Sequence, residues 1–125
     1  MLRTHYSTRP TAMDMNAFTL IYRWDIREFQ MPTDNGEPYV DYSAYVVRIN
    51  APFSQNKLIE AVMTARYGND FENKLINEYN AAMMDIYTDP DEKAAKIQRY
   101  TDFLRDRAAL KADIERVCIE NGIVE

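Results

Sequence analysis

The hydrophobic pattern changes character twice along the chain. Residues 1–16 show no regular spacing and mix Thr, Ser, Arg, Pro and Met, so they read as an arm that is irregular in isolation. From Ala17 the pattern sharpens. Phe18, Leu20, Tyr22, Trp24 and Ile26 hold one parity, and Thr19, Ile21, Arg23, Asp25 and Arg27 hold the other. Side chains alternate faces along a strand, so this is a half-buried strand with one aromatic face. Residues 39–49 form a second apolar, β-branched and aromatic run. Between the two, residues 31–38 include Asn35-Gly36, which predicts a tight turn at positive φ, and prolines that keep the loop out of the ladder.

The second run is less tidy than the first. Val40, Tyr42 and Ala44 share one parity, while Tyr45, Val47 and Ile49 share the other. Either both faces are covered, or a bulge near Ala44 turns all six inward. The single apolar face of the first strand favours the bulge.

After Ala51-Pro52-Phe53 the period becomes helical. Ser54 is placed as an N-cap for a helix with Leu58, Ile59, Val62 and Met63 on one face, and Gly68 as its C-terminal cap. Asp70 is placed to cap a second helix carrying Phe71, Leu75, Ile76, Tyr79, Met83 and Ile86. Thr88-Asp89-Pro90 combines a cap residue with proline at the first helical position, opening a third helix that runs to about Asn121. Its stripe begins with Ile97, Tyr100, Leu104 and Ala108 and continues, with a drift, through Leu110, Ile114 and Val117. Asn121-Gly122-Ile123 predicts a Schellman stop. A break of two or three residues between the second and third helices predicts an αα-hairpin. The whole reads as an α+β fold: an arm over 1–16, then one domain over 17–125, with a β-hairpin at 17–50 and helices over 54–121.

Composition narrows the functional classes. The chain has 125 residues, 46% apolar and 28% charged, which is globular composition for a single domain. It contains no run of 18 apolar residues and no signal-like start, so the expectation is a protein that neither spans a membrane nor enters the secretory route. The net charge is −5, which disfavours general nucleic-acid binding, since that leans on Lys and Arg. One cysteine, Cys118, rules out an intramolecular disulfide and fits a reducing cytoplasm or a virion assembled there.

Candidate chemistry is sparse. His5 is the only histidine and lies in the arm, where a catalytic triad would have to recruit it. One His and one distant Cys do not make a zinc site. Cys118, between Val117 and Ile119, reads as a small buried hydrophobe. Gly36, Gly68 and Gly122 are explained by turns and caps, so no glycine-rich phosphate loop can be built. Asp102 and Asp106, four apart, and Asp89, Asp91 and Glu92 at a helix start read as a solvated face. No catalytic, cofactor-binding or metal-binding set is assigned.

The aromatic content of the hairpin is the unusual feature. Phe18, Tyr22, Trp24, Phe29, Tyr39, Tyr42 and Tyr45 crowd it. Most are expected to pack under the helices, since a two-stranded sheet needs cover. The rest suit a contact surface, because Tyr, Trp and Arg dominate interface hot spots. The candidate contact residues are Tyr22, Trp24, Tyr39, Tyr42 and Tyr45 on the hairpin, with Arg3, Tyr6 and Arg9 on the arm. Open hairpin edges can be capped by the arm or by a strand from another chain.

The stretch from Ile76-Asn77-Glu78-Tyr79-Asn80 to Tyr100-Thr101-Asp102-Phe103-Leu104-Arg105 resembles the ends of small bacteriophage and prophage proteins of the tail-fibre-assembly type. The resemblance covers about 54–121 and lies in a pattern: a strand-rich start, a helix, a short acidic break, then an aromatic-x-x-aromatic helix. It implies a non-enzymatic role in virion structure or assembly, with protein partners or self-association and no cofactor. Two other classes stay open: a small acidic regulator seated on a basic surface of a host protein, and an enzyme with a carboxylate site.

Overall fold

The computed structural model describes residues 1–124. In chain order the elements are β1 (Thr4–Tyr6), β2 (Met13–Met15), β3 (Thr19–Met31), β4 (Tyr39–Asn50), α1 (Gln55–Tyr67), α2 (Phe71–Met83) and α3 (Pro90–Glu120). The strands form one antiparallel sheet in the order β1-β4-β3-β2, followed by the helices. The fold is α+β.

The arm is ordered on its own domain and supplies both flanking strands. β1 pairs with β4 through Thr4–Ala44 and Tyr6–Tyr42, and β2 pairs with β3 through Met13–Tyr22 and Met15–Leu20. The intervening residues therefore carry the chain from one edge of the hairpin to the other. Arg23, which the strand alternation points away from the helices, holds this crossing. Its Nε donates to the Tyr6 hydroxyl at 2.8 Å and its Nη1 to the Thr11 carbonyl at 3.1 Å. An ion pair to Asp14 at 2.5 Å completes the grip, and the Arg23 side chain is left only 11% exposed. The arm has too few apolar residues to show a strand period. What orders it is pairing to the two edges of the hairpin.

The β3–β4 register reveals a bulge. Trp24 faces Tyr45 and Arg27 faces Ser43, so Asp25 and Ile26 together oppose Ala44. The extra residue lies in β3, and this corrects the expectation of a parity shift in β4. β4 keeps its alternation and both of its faces are covered: Tyr45, Val47 and Ile49 meet the helices, while Val40, Tyr42 and Ala44 lie on the side of Thr4 and Tyr6. Asp25 occupies the left-handed region at φ 53, which Asp tolerates better than most residues. The predicted positive φ at Asn35-Gly36 is absent; Gly68, Gly122, Asp25 and Asp85 have that conformation instead. Residues 32–38 form a longer loop, in which Thr33 Oγ1 donates to the carbonyls of Gly36 and Glu37.

The core lies between the sheet and two of the helices. Leu20, Tyr22, Trp24, Val47 and Ile49 from the sheet meet Leu58 and Val62 of α1 and Ile114, Val117 and Cys118 of α3. Full burial of each aliphatic side chain contributes about 1.5–3 kcal/mol. Tyr22 stacks on Trp24 with centroids 5.6 Å apart, and its hydroxyl donates to the Asp113 carboxylate. Burial, reinforced by that carboxylate, pushes the Tyr22 phenol well above its usual range. Cys118 is fully buried, and burial raises its thiol too.

The helix ends follow their local chemistry with one exception. Ser54 Oγ accepts from the Lys57 N–H at 3.1 Å, and Asp89 accepts from Asp91 N–H at 3.0 Å ahead of Pro90. Gly122 at φ 73 ends α3, with Ile123 N–H returning to the Cys118 carbonyl and Gly122 N–H to Ile119. That is the Schellman pattern, and Ile123 enters the core. Asp70 makes no side-chain cap bond, contrary to expectation.

α2 contributes nothing to the main core. It packs along the N-terminal half of α3 through Tyr79 against Tyr100 at 4.8 Å and Phe71 against Phe103 at 5.7 Å. Glu78 pairs with Lys96 and Arg99 across the same seam. The αα-hairpin is present, but its connection spans residues 84–89, longer than predicted. Met83 and Ile86 stay exposed and Ala82 is buried in their place; on α3, Phe103 is buried and Leu104 is not.

Two outcomes follow from this packing. Ile114→Ala should destabilise the chain by about 2–5 kcal/mol in urea unfolding, whereas Met84→Ala should change it by less than about 0.5 kcal/mol. The Asp14 carboxyl is held below its ordinary range mainly by the Arg23 hydrogen bond. Its contribution is therefore present above the ordinary Asp pKa and is lost as pH falls through the depressed value. Since 55% of the Asp14 side chain is exposed, the effect is small and local. Amide exchange over β2, corrected for intrinsic pH dependence, should rise in acid, and Arg23→Gln should remove that rise.

Candidate interaction surface

The site is built on the stretch of hairpin that the helices do not reach. Before the bulge, even-numbered residues of β3 face the helices. After it, Arg27 pairs with Ser43, Phe29 with Asp41 and Met31 with Tyr39. Ser43 and Tyr45 share a face of β4, so Arg27, Phe29 and Met31 continue the face that Trp24 presents to the core. No helix covers them there. Phe29 is 43% exposed, Met31 37% and Tyr39 54%. Three large apolar side chains thus stand together in water on two hydrogen-bonded strands.

Charge on the loop side of this patch is acidic, while Arg27, on the same face beside Phe29, stands at its root. Residues 28–41 contain Glu28, Asp34, Glu37 and Asp41 and no Lys or Arg. His5 of β1 lies beside it, with Nδ1 2.7 Å from Asp41 Oδ2.

Arg3 fixes the root of the patch. Its Nε donates to the Ser43 hydroxyl at 2.8 Å, Nη1 to Asp25 Oδ2 at 2.9 Å, and Nη2 to the carbonyls of Ser43, at 2.9 Å, and Asp25. The guanidinium also sits 4.6 Å from the Tyr45 ring centroid. One side chain therefore bonds both strands at the bulge, and Arg27 pairs with Asp25 at 3.0 Å from the other side.

The eight contact residues expected from sequence are dispersed. Tyr22 and Trp24 are core residues, which corrects their assignment to a contact surface: hydrophobic burial and the Asp113 bond use them fully. Tyr45 is half-buried beneath Arg3, and Tyr42 and Tyr6 are half-buried as a cross-strand pair. Arg3 is 18% exposed and spent on the bulge. Tyr39 and Arg9 are exposed, but only Tyr39 belongs to the patch. Phe29, one of the hairpin aromatics, and Met31 are the remaining members, and neither is among the contact residues that the sequence predicts.

Two adjoining clefts of about 240 and 480 Å³ run from the bulge along α1 and α3 and share Arg66, Tyr67 and Asp106. Asp102 and Asp106 on their rim are exposed to solvent. Among the described residues, no cluster of His, Cys, Asp and Glu is placed to hold a metal ion, and no buried side-chain nitrogen or oxygen lacks a partner. No helix among them is long and apolar enough to cross a membrane. Comparison with protein-family models, curated proteins and solved structures finds no match to this chain.

Arg3→Ala leaves the buried Ser43 hydroxyl and the Asp25 carbonyl without their donor. It should cost about 1–3 kcal/mol in urea unfolding and speed proteolysis within residues 1–16. Arg3→Lys, which keeps charge but loses the planar fork, should recover only part of both.

Proposed function

We propose that this chain is a non-catalytic protein–protein interaction and assembly component, of the kind used in bacteriophage virions and tails, and that the hairpin beyond the bulge makes its contacts. One observation carries the reading: Phe29, Met31 and Tyr39 lie exposed on one face of paired strands. Exposed apolar side chains gathered on a rigid element mark contact surfaces, and aromatic side chains anchor such contacts at low conformational cost. The phage context rests on the pattern of 54–121 alone.

A second reading has its own support. The four carboxylates of 28–41 against no cation suit an acidic regulator that covers a basic surface of another protein.

The test compares the wild-type chain with a Phe29→Ser, Met31→Ser, Tyr39→Ser variant, each mixed with the proteins encoded beside it in its native genome. Since the patch lies outside the core, the variant should keep its fold by circular dichroism. It should lose the complex that the wild type forms in size-exclusion chromatography. A wild type that forms no complex, with itself or with those proteins, contradicts the assembly reading. A complex that survives the triple change and dissolves with salt favours the regulator, because exposed charges are screened over about 8–10 Å at physiological ionic strength.

A further inference from the structure

The outer edge of β3 is open where the patch begins. β2 pairs with β3 only over residues 20–22, and Arg23 N–H still reaches the Ala12 carbonyl at 2.7 Å. Beyond this, no strand among the described residues pairs with β3 on that side, and Arg27, Glu28, Phe29, Gln30 and Met31 are all exposed. The bulge closes this stretch at one end and Pro32 at the other. Open edges recruit strands, and natural proteins keep them short or blocked for that reason.

The backbone polarity of the edge can be assigned. Backbone groups of successive residues point alternately to the two sides of a strand. Arg23 bonds outward to Ala12, so before the bulge the odd-numbered residues face β2. The extra residue at 25–26 reverses the alternation. β4 agrees with this: Trp24 turns toward Tyr45, so alternation along the unbroken β4 turns Ser43 and Asp41 toward β3 as well, and their partners Arg27 and Phe29 turn toward β4. Glu28 and Gln30 therefore present their N–H and C=O groups to the open side.

We propose that a second copy of this chain occupies the open edge, pairing β3 with β3 antiparallel about a two-fold axis at Phe29. The inference rests on the assembly reading and names the partner. Symmetric pairing allows three registers through the outward residues. Centring on Glu28 sets two carboxylates against each other. Centring on Gln30 pairs Glu28 with Pro32, which has no N–H to give. Centring on Phe29 pairs Glu28 with Gln30 of the other copy twice, with no like charges opposed and no proline in the ladder. It also places the two Phe29 rings in a directly opposed, non-hydrogen-bonded pair, where side chains approach most closely. Met31 then faces Arg27 of the other copy, and the two apolar patches join on one face. Such a contact is self-complementary and closes at two copies. Five residues from each chain fall short of the roughly 1,600 Å² of a standard interface, so the dimer is concentration-dependent.

Single-cysteine cross-linking tests both the partner and the register. Opposed residues of a non-hydrogen-bonded pair lie about 4.5 Å apart at Cα, within disulfide reach. Cys118 is fully buried and does not compete. Under mild oxidation, Phe29→Cys should give a disulfide-linked dimer and Gln30→Cys should not, since its symmetry mate lies outside reach in this register. Light scattering of the wild type should show mass rising toward a dimer with concentration, and Phe29→Lys should weaken association roughly tenfold or more by opposing like charges. Cross-linking through Gln30→Cys but not Phe29→Cys overturns the register. A wild type monomeric at its highest soluble concentration overturns the self-pairing altogether. If that monomer still forms a heterologous complex through Phe29, Met31 and Tyr39, the assembly reading stands without it.

Discussion

One guanidinium holds the place where this structure changes character. Arg3 donates to Ser43 and to Asp25, on opposite strands of the hairpin, and lies over Tyr45. A bulge with an Asp at positive φ interrupts the ladder and leaves its extra residue unpaired. Here the unpaired Asp25 carbonyl and its carboxylate both receive a fixed donor from the arm. Planar forked donors suit this task better than an ammonium would. The arm gains its order in the same contact, since Arg3 enters β1 immediately afterwards. Bulge and arm thus stabilise each other.

The bulge divides the hairpin into two halves with different uses. On the near side, even positions of β3 face α1 and the C-terminal half of α3, and Leu20, Tyr22 and Trp24 are buried there. On the far side, odd positions take over the same face, and the helices have turned away. α3 is long enough, about 46 Å at 1.5 Å per residue, to serve two partners. Its C-terminal half closes the sheet core, and its N-terminal half carries α2 in an aromatic seam that Tyr67 of α1 joins through Phe71 and Phe103. The result is a sheet-and-helix core with two parts outside it, the far half of the β-hairpin and the helical hairpin. The far half of the β-hairpin combines a clustered apolar face with an open edge.

Much of this was legible in the residues. The α+β class, the aromatic strand, the Ser54 and Asp89 caps, the Gly68 and Gly122 stops and the burial of Cys118 follow from local chemistry, because a cap or period is set by a few neighbours. Features that depend on distant partners were not legible. β1 and β2 exist because the hairpin offers two edges, which no spacing in residues 1–16 records. The mixed parity of residues 40–49 reflects a strand covered on both faces, the alternative to a bulge in β4, and the bulge itself lies in β3, where no break in parity marks it. The first strand's even run continues smoothly to Ile26, and nothing in it announces an Asp at positive φ. Phe29 and Met31 go unassigned because the bulge sets their face. Tyr22 and Trp24 are promoted instead, because their side chains suit a core and an interface equally well.

The register across the bulge is therefore the central claim, and solution NMR tests it most directly. Close Hα–Hα contacts mark the non-hydrogen-bonded pairs of an antiparallel ladder. The structure predicts such contacts for Arg23 with Val46 and, beyond the bulge, for Glu28 with Tyr42 and Gln30 with Val40. An unbroken ladder would instead bring Arg27 against Tyr42. That contact, in place of Glu28 with Tyr42, would return Phe29 and Met31 to the opposite face and contradict the account.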